Sequence, residues 1–381
     1  MKILLGLTGS VASVLYLKLI TELQAVGEVE VILTSRAKHF IKELPEGVKV
    51  WTDDDEWKWK TDDIQGMDEN GYFIYENDKW KKNDQVLHID LRDTASALVI
   101  APCSANTLGK IANGLCDNLL TSVVRAWDVS RPIILAPAMN THMWNHPLTR
   151  RQLAEFRLFS RNNHVVNPQS KLLACNTEGM GALAEISEIV EKAKKSLQWH
   201  FPLQDYCRTA PQCSGIPQCG HPGAFLTKRK YHIHTGVDLY CNDGQPISAV
   251  EDGLIVSIED FTGSSQKSSW WEDTKCILIE GATGVVCYGE MEPAPDMKIG
   301  NRILKGEHIG NVKRVLKPGK ERPDIAGHST SMLHMEIYKH GTYRAFEENS
   351  ALGEISDWNV LVDPTPYLAS AINASKTVLK P

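Results

Sequence analysis

Five short apolar runs, ILLGL (3–7), VEVILT (29–34), ALVIAP (97–102), PIILA (132–136) and HVV (164–166), recur through the first half of the chain with helix-length segments between them. That alternation constrains the fold more than any other feature. Strands separated by helices pair in parallel, and a parallel sheet must be covered on both faces. The first intervening segment carries Val11, Val14, Leu15, Leu19, Leu23 and Val26 at helical spacing, which predicts one amphipathic helix with that face inward. The expected fold is α/β, a flavodoxin/Rossmann-like parallel sheet sandwiched by helices. Residues 61–83 break the rhythm: two aromatic runs about Asn70-Gly71 read as an inserted, solvent-facing β-hairpin.

After a last helix expected at about 185–199 the texture changes. From 223 onward, PISAV, GLIVSI, CILIE and GVVCYGEM are separated by Gly, Asp and Asn turns, the pattern of a mostly antiparallel β domain. The expected organisation is a first domain at 1–199, a Cys- and Pro-rich linker at 200–222, a β domain at 223–370 and a tail at 371–381. A length of 381 residues agrees with more than one core. No apolar run reaches the roughly 18–20 residues that span a bilayer, so no membrane role is expected. A net charge of −6 gives no basic footprint for nucleic acid.

MKILLGLTGSVASVLYLKLI reads as a strand, a Gly turn and a helix with a polar face, not as a signal peptide, so a cytoplasmic location is expected. The nine cysteines pull the other way. Cys207, Cys213, Cys219, Cys241, Cys276 and Cys287 crowd the second half like a disulfide framework, which reducing cytosol disfavours.

Each strand of the first half ends in a polar loop: TGSVAS (8–13), TSRAKHF (34–40), APCSANTLGK (101–110) and APAMNTHMW (136–144). In an open α/β sheet such loops converge on one crevice. Gly9 and Ser10 precede a helix N-terminus, where unpaired N–H groups and the dipole favour an anion such as phosphate. Ser104, Ala105, Asn106 and Thr107 open another helix, and Thr34-Ser35 end the second strand. Singly, these Ser, Thr and Asn residues also suit plain helix capping.

Taken in order and spacing, TGSVA, VLHIDLR (86–92), APCSANTLGKIANGLCDNLLT (101–121), APAMNTHMWNHP (136–147) and KLLACNTEGMGALAE (171–185) resemble the flavin-containing cysteine decarboxylases. The resemblance covers residues 1–198. It implies FMN held by Gly9, Ser10, Thr34, Ser35, Ser104, Ala105, Asn106 and Thr107, and a homotrimer. The implied reaction is decarboxylation of 4'-phosphopantothenoylcysteine in coenzyme A biosynthesis, with oxidation at sulfur's carbon creating the electron sink that loss of CO₂ requires.

By the same resemblance Asn140 binds the leaving carboxylate, Met143 walls the substrate pocket, His88 orients substrate or moves a proton, and Cys175 protonates the product. The family follows that cysteine with Gly-Asp; this chain has Asn176-Thr177. Relatives that stop at the oxidised enethiol lack the cysteine, so Cys175 favours the reductive reaction.

In the second half, HIHTGVD (232–238) and SMLHMEIY (331–338) set out His234, Asp238 and His334, a three-ligand set that leaves a fourth position for water on tetrahedral Zn²⁺. Residues 223–368 resemble the lysostaphin-type zinc endopeptidases, and DPTPYL (363–368) with Cys241 resembles their chemotaxin-2 branch, a binding lineage. Met332 stands where the peptidases place a catalytic His, and Glu290 of YGEM aligns with their other one; Glu290 or His328 would have to serve as base. A structural or binding role, with a peptide or protein partner, is therefore expected over peptidase activity. Two alternatives remain for the whole chain: a regulatory scaffold with a silent flavin site, and a cell-wall hydrolase.

Overall fold

The computed structural model describes residues 1–43, 45–57, 64–67, 73–75, 86–172, 178–203, 216–217, 220–229, 233–264, 271–319, 331–341 and 358–378. The chain divides into two compact units, Met1–Ser196 and Leu197–Pro381.

The first unit runs β1 (Lys2–Leu7), α1 (Tyr16–Gln24), β2 (Glu28–Leu33), β3 (Val50–Thr52), α2 (Asp53–Glu56), β4 (Ile64–Met67), β5 (Phe73–Tyr75), α3 (Leu87–Thr94), β6 (Ala97–Cys103), α4 (Ala105–Ala112), α5 (Leu119–Ala126), β7 (Ile133–Pro137), α6 (Thr141–Asn145), α7 (Pro147–Phe159), β8 (Asn163–Val165), β9 (Gln169–Leu172), β10 (Glu178–Ala182) and α8 (Ile186–Ser196). Six strands form a wholly parallel sheet in the order β3-β2-β1-β6-β7-β8. The chain winds outward from β1 to β3, then restarts at β6 and winds the other way. Its switch point therefore lies between β1 and β6, where the loops beyond the strand ends separate and open a crevice. Every residue of β6 and β7 is buried, and each fully buried Leu or Ile side chain contributes about 1.5–3 kcal/mol.

One local expectation changes. The first helical segment splits into a 3-10 turn, Val11–Leu15, and α1. Tyr16, Leu19, Ile20 and Leu23 face the core, whereas Val11, Val14 and Leu15 are exposed. Helical spacing was right about the period but could not see that the turn rotates those three residues outward. The hairpin expected at 61–83 has β4 and β5 paired antiparallel, with Asn70-Gly71 outside the described residues.

Glu30 ties three strands together. Its carboxylate is 2.8 Å from the Lys2 ammonium on β1, accepts from Trp51 Nε1 on β3 at 2.7 Å, and has Lys49 at 3.9 Å. Burial alone would raise its pKa, but the bonds to Lys2 and Trp51 and the two lysine charges outweigh that and hold it below the ordinary 4.5.

The second unit runs β11 (Val237–Tyr240), β12 (Pro246–Ser248), β13 (Gly253–Thr262), β14 (Thr274–Gly281), β15 (Val285–Pro293), β16 (Arg302–Ile303), β17 (His308–Val312), β18 (Met332–Tyr338), β19 (Leu361–Val362) and α9 (Thr365–Val378). All its strand pairs are antiparallel, with the main order β11-β18-β15-β14-β13-β16. Alternate residues Val237 and Leu239, Ile277 and Ile279, and Leu333, Met335 and Ile337 fill its core. Phe201, Leu203 and Ile216 join that core, as do Leu368 and Ala371 of α9. The segment read as a linker thus supplies apolar anchors to the sheet, and α9 runs into the stretch read as a tail; Cys and Pro content masked the first, and a Pro-flanked start the second. Cys241, Cys276 and Cys287 are buried, while Cys207, Cys213 and Cys219 lie outside the described residues.

Glu30→Gln removes the charge that pairs with Lys2 and is expected to cost about 1–2 kcal/mol at neutral pH. Because the folded pKa is depressed, the native contribution is full above 4.5 and fades as pH falls through the folded value. Urea unfolding across pH should show wild type and variant converging in acid.

Candidate functional sites

At the switch point, most of the loop hydroxyls hold the scaffold. Thr8 Oγ1 donates to the Pro102 carbonyl at 2.7 Å and accepts from the Ser104 N–H at 2.9 Å, joining the ends of β1 and β6. Ser13 Oγ donates to the Thr8 carbonyl at 2.7 Å, and Thr34 Oγ1 to the Leu7 carbonyl at 3.0 Å. Ser104 is the N-cap of α4, accepting from the Thr107 N–H at 3.3 Å. Gly9, Ser35 and Asn106 are exposed, and Ala105 lies between the cap and Asn106. The buried hydroxyls therefore fix the loops, while the α4 terminus keeps orphan N–H groups of the kind an anion uses.

A cavity of about 560 Å³ opens beside these loops, lined by Ser10, Val14, Leu15, Met139, Asn140 and Leu183 among others. The exposed apolar residues of the 3-10 turn are thus cavity wall. Asn140 caps α6, its Oδ1 accepting from the His142 N–H at 2.9 Å, which defines the acceptor and donor ends of the amide. The β9–β10 hairpin closes the opposite side. Gly181, at φ +137°, accepts from the Met139 N–H at 2.9 Å, and a Cβ on it would stand 2.2 Å from the Met139 carbonyl oxygen. Only glycine permits that approach.

Met143 is half exposed and does not line this cavity. Neither does His88, in the first turn of α3, whose Nδ1 lies 2.5 Å from Glu56 Oε1. Cys175 falls in the β9–β10 connection, outside the described residues. Glu56 is a functional candidate that sequence reasoning passed over; it sits 32 positions from His88, inside the acidic run DDDE.

In the second unit, β11 and β18 pair so that Asp238 lies directly opposite His334, and His234 arrives from the loop before β11. Gly236 allows this closeness: a Cβ there would meet the Met335 carbonyl oxygen at 2.3 Å and His334 Nε2 at 2.8 Å. His234 Nε2 and His334 Nδ1 lie 3.1 Å apart, and 3.0 and 2.8 Å from Asp238 Oδ1. The other ring nitrogens are spoken for. His234 Nδ1 lies 2.9 Å from the Ala224 carbonyl and His334 Nε2 lies 3.1 Å from the Glu336 carboxylate, both of which only accept. In neutral rings the two nitrogens facing each other are then lone pairs. Two imidazole nitrogens and a carboxylate oxygen converging in a buried space suit a positive charge, a proton or a metal ion, and the triangle approaches the edges of about 3.3 Å of a tetrahedral ion with ligands at about 2.0 Å. The donor set fits zinc.

The surrounding charges favour positive charge in this cluster. Burial alone would raise Asp238, but the charges and bonds of His234 and His334 hold it well below the usual carboxylate range. Burial would lower His334, yet Asp238 and Glu336 push it up to about 10. Arg229 pairs with the outer oxygen of Asp238, and Thr235 and Tyr338 donate to Glu336. Glu290 sits where β15 bulges against β14, at φ 60°, with a buried Oε2 that has no hydrogen-bond partner among the described residues. Burial and the Asp238 charge push it up to about 8. Met332 shares the His334 face of β18 by strand alternation; His328 lies outside the described residues.

An open parallel sheet with polar loops gathered at its switch point defines a cofactor-binding α/β protein, here followed by a β unit carrying a two-histidine, one-aspartate centre. Residues 1–198 match the flavoprotein family, and the chain belongs to it. Residues 232–345 match peptidase family M23. Phosphopantothenoylcysteine decarboxylase of Mus musculus is 42% identical over 207 residues, 53% of this chain and 90% of the mouse protein. Its counterpart from Oryza sativa subsp. japonica is 45% identical over 191 residues, 49% of this chain and 77% of the rice protein. The solved structure of the FMN binding protein AtHal3 is 42% identical, covers 51% of this chain and 95% of its own, and has a TM-score of 0.42. Among the described residues, no helix is long and apolar enough to cross a membrane.

Gly181→Ala should separate the hairpin from the Asn140 loop, lowering stability by about 1–3 kcal/mol. Thermal melts read the loss, and hydrogen exchange at the Met139 amide should accelerate.

Proposed function

We propose that the first unit is an FMN-dependent decarboxylase of 4'-phosphopantothenoylcysteine, forming 4'-phosphopantetheine. The observation that carries this reading is the 42% identity across 90% of the mouse decarboxylase, with Asn140 lining a cavity of substrate size. Gly9, Ser10, Thr34, Ser35 and the Ser104–Thr107 turn would hold the cofactor, whose chemistry is to take a hydride from the substrate and return it. Asn140 donates to the substrate carboxylate without adding a charge that would retain CO₂. Met143 and His88 lie outside the Asn140 cavity of one chain, so on this reading they serve substrate held between subunits of the homotrimer, Met143 bounding it and His88 orienting it or carrying a proton, while Cys175 delivers the proton that completes reduction. The exposed Val11, Val14 and Leu15 support a homotrimer that covers this face.

The purified protein should be yellow and release CO₂ from the substrate; a colourless protein that FMN cannot reconstitute would sink the reading. Asn140→Ala should keep the flavin spectrum and lose roughly 100-fold or more in turnover. Cys175→Ser should accumulate the oxidised enethiol product, a species that a silent scaffold would never make.

For the second unit we infer a zinc-binding, non-catalytic module that presents a surface to a peptide or protein. The convergent lone pairs of His234 and His334 support the metal, and Met332, which cannot transfer a proton, supports the lack of turnover. Elemental analysis should find about one zinc per chain, lost in Asp238→Ala and His334→Ala. A chelator should lower the melting temperature of the wild type alone. Chelator-sensitive cleavage of glycine-rich peptides or peptidoglycan would overturn the non-catalytic assignment.

A further inference from the structure

One carboxylate grips His88 at two points. Glu56 Oε1 lies 2.5 Å from the imidazole Nδ1, and Oε2 accepts from the His88 backbone N–H at 3.1 Å. The second bond answers a local need, because α3 begins after Val86, whose side chain makes no capping bond. The first bond does something different. An ionised carboxylate only accepts, so the proton of a neutral His88 ring is drawn to Nδ1 and the lone pair is left on Nε2.

The grip is held from behind. Glu56 is nearly buried and closes α2, which starts in a capping box formed by Thr52 and Asp55. Asp53 of the same turn accepts from the Leu119 N–H at 2.9 Å, tying α2 to the start of α5. A side chain on so short and doubly anchored a turn has little freedom to release its histidine.

We propose that Glu56 is a positioning residue for His88: it selects the Nδ1–H tautomer and presents Nε2 as the proton-accepting face used in turnover. The proposal rests on the decarboxylase reading for its catalytic half. Its positioning half concerns the ring alone and is measured separately.

Glu56→Gln distinguishes this role from remote capping. The glutamine carbonyl can still accept the His88 backbone N–H, so the helix start survives. Its NH₂ group then faces Nδ1 as a donor and forces the proton to Nε2. The full-length chain loaded with FMN would be compared with the variant by long-range ¹H–¹⁵N spectra of the histidine rings, with His88→Gln assigning the signal. Thermal melts and kcat and KM complete the comparison.

Expected are a melting temperature within about 3 °C of wild type, a change from the Nδ1–H to the Nε2–H tautomer, and a fall in kcat of about 30- to 100-fold with KM within about twofold. Glu56→Asp should restore the tautomer and part of kcat. A variant that keeps the Nδ1–H form, or that switches tautomer with kcat unchanged, overturns the proposal. Absence of turnover in wild type overturns the decarboxylase reading and the catalytic half with it, while the spectra still decide the positioning half.

Discussion

The buried hydroxyl of Thr8 is the contact on which the first unit's site depends. It donates to Pro102 and accepts from Ser104, so the ends of β1 and β6 are joined at the one place where neighbouring strands send their loops apart. A parallel sheet gives its strand ends no ladder partner beyond the last pair, and a side-chain hydroxyl with both donor and acceptor capacity is the economical way to fix two of them. Ser13 and Thr34 repeat the device on neighbouring backbone carbonyls. The loops that carry Ser10, Asn106 and Asn140 can therefore be exposed without being loose.

That arrangement explains what the sequence could and could not reveal. Parallel pairing was legible because long apolar runs alternate with helical periodicity, whereas the order of the strands is seen only in the fold. The polar loops were legible as a set because they recur at strand ends. Which hydroxyl joins β1 to β6 was not, since Thr8 and Ser10 look equivalent in a string, yet Thr8 bonds Pro102 and Ser104 while Ser10 donates to the Ala138 carbonyl at 3.3 Å. Val11, Val14 and Leu15 failed for a related reason. Periodicity reports spacing along one helix, and the change from a 3-10 turn to α1 shifts the phase by enough to carry those residues from core to cavity.

The second unit shows the opposite balance. Its candidate ligands His234, Asp238 and His334 stood out by residue type and spacing, because metal donors are few, and the fold brings the three together. Its surroundings were not. Glu336 is two residues from His334 on the same strand face, so alternation alone brings it alongside. Ala224 contributes only a carbonyl, which carries no sequence signal. Arg229 adds a positive charge beside Asp238 from a loop, and Glu290 adds from a bulged strand a carboxyl that burial and Asp238 push up to about 8. The bulge turns Glu290 into a dry environment beside Asp238, and that placement follows from a register shift between β14 and β15 that no local pattern announces.

Both units nonetheless solve one problem in one way. A neutral imidazole has two tautomers, and a histidine that must offer a lone pair at a set position needs its other nitrogen occupied. His88 has Glu56, His334 has Glu336 and His234 has the Ala224 carbonyl. The partner is an obligate acceptor each time, so in the neutral ring the proton is drawn to a known nitrogen and the lone pair to the other. The partners lie 32, two and ten positions away in the chain, on a helical turn, a strand and a loop. No motif could encode such a relation, because what is shared is the acceptor chemistry at one ring nitrogen and not a spacing. The histidines themselves mark where chemistry can occur; the acceptors behind them decide whether each ring presents a lone pair or a proton to it.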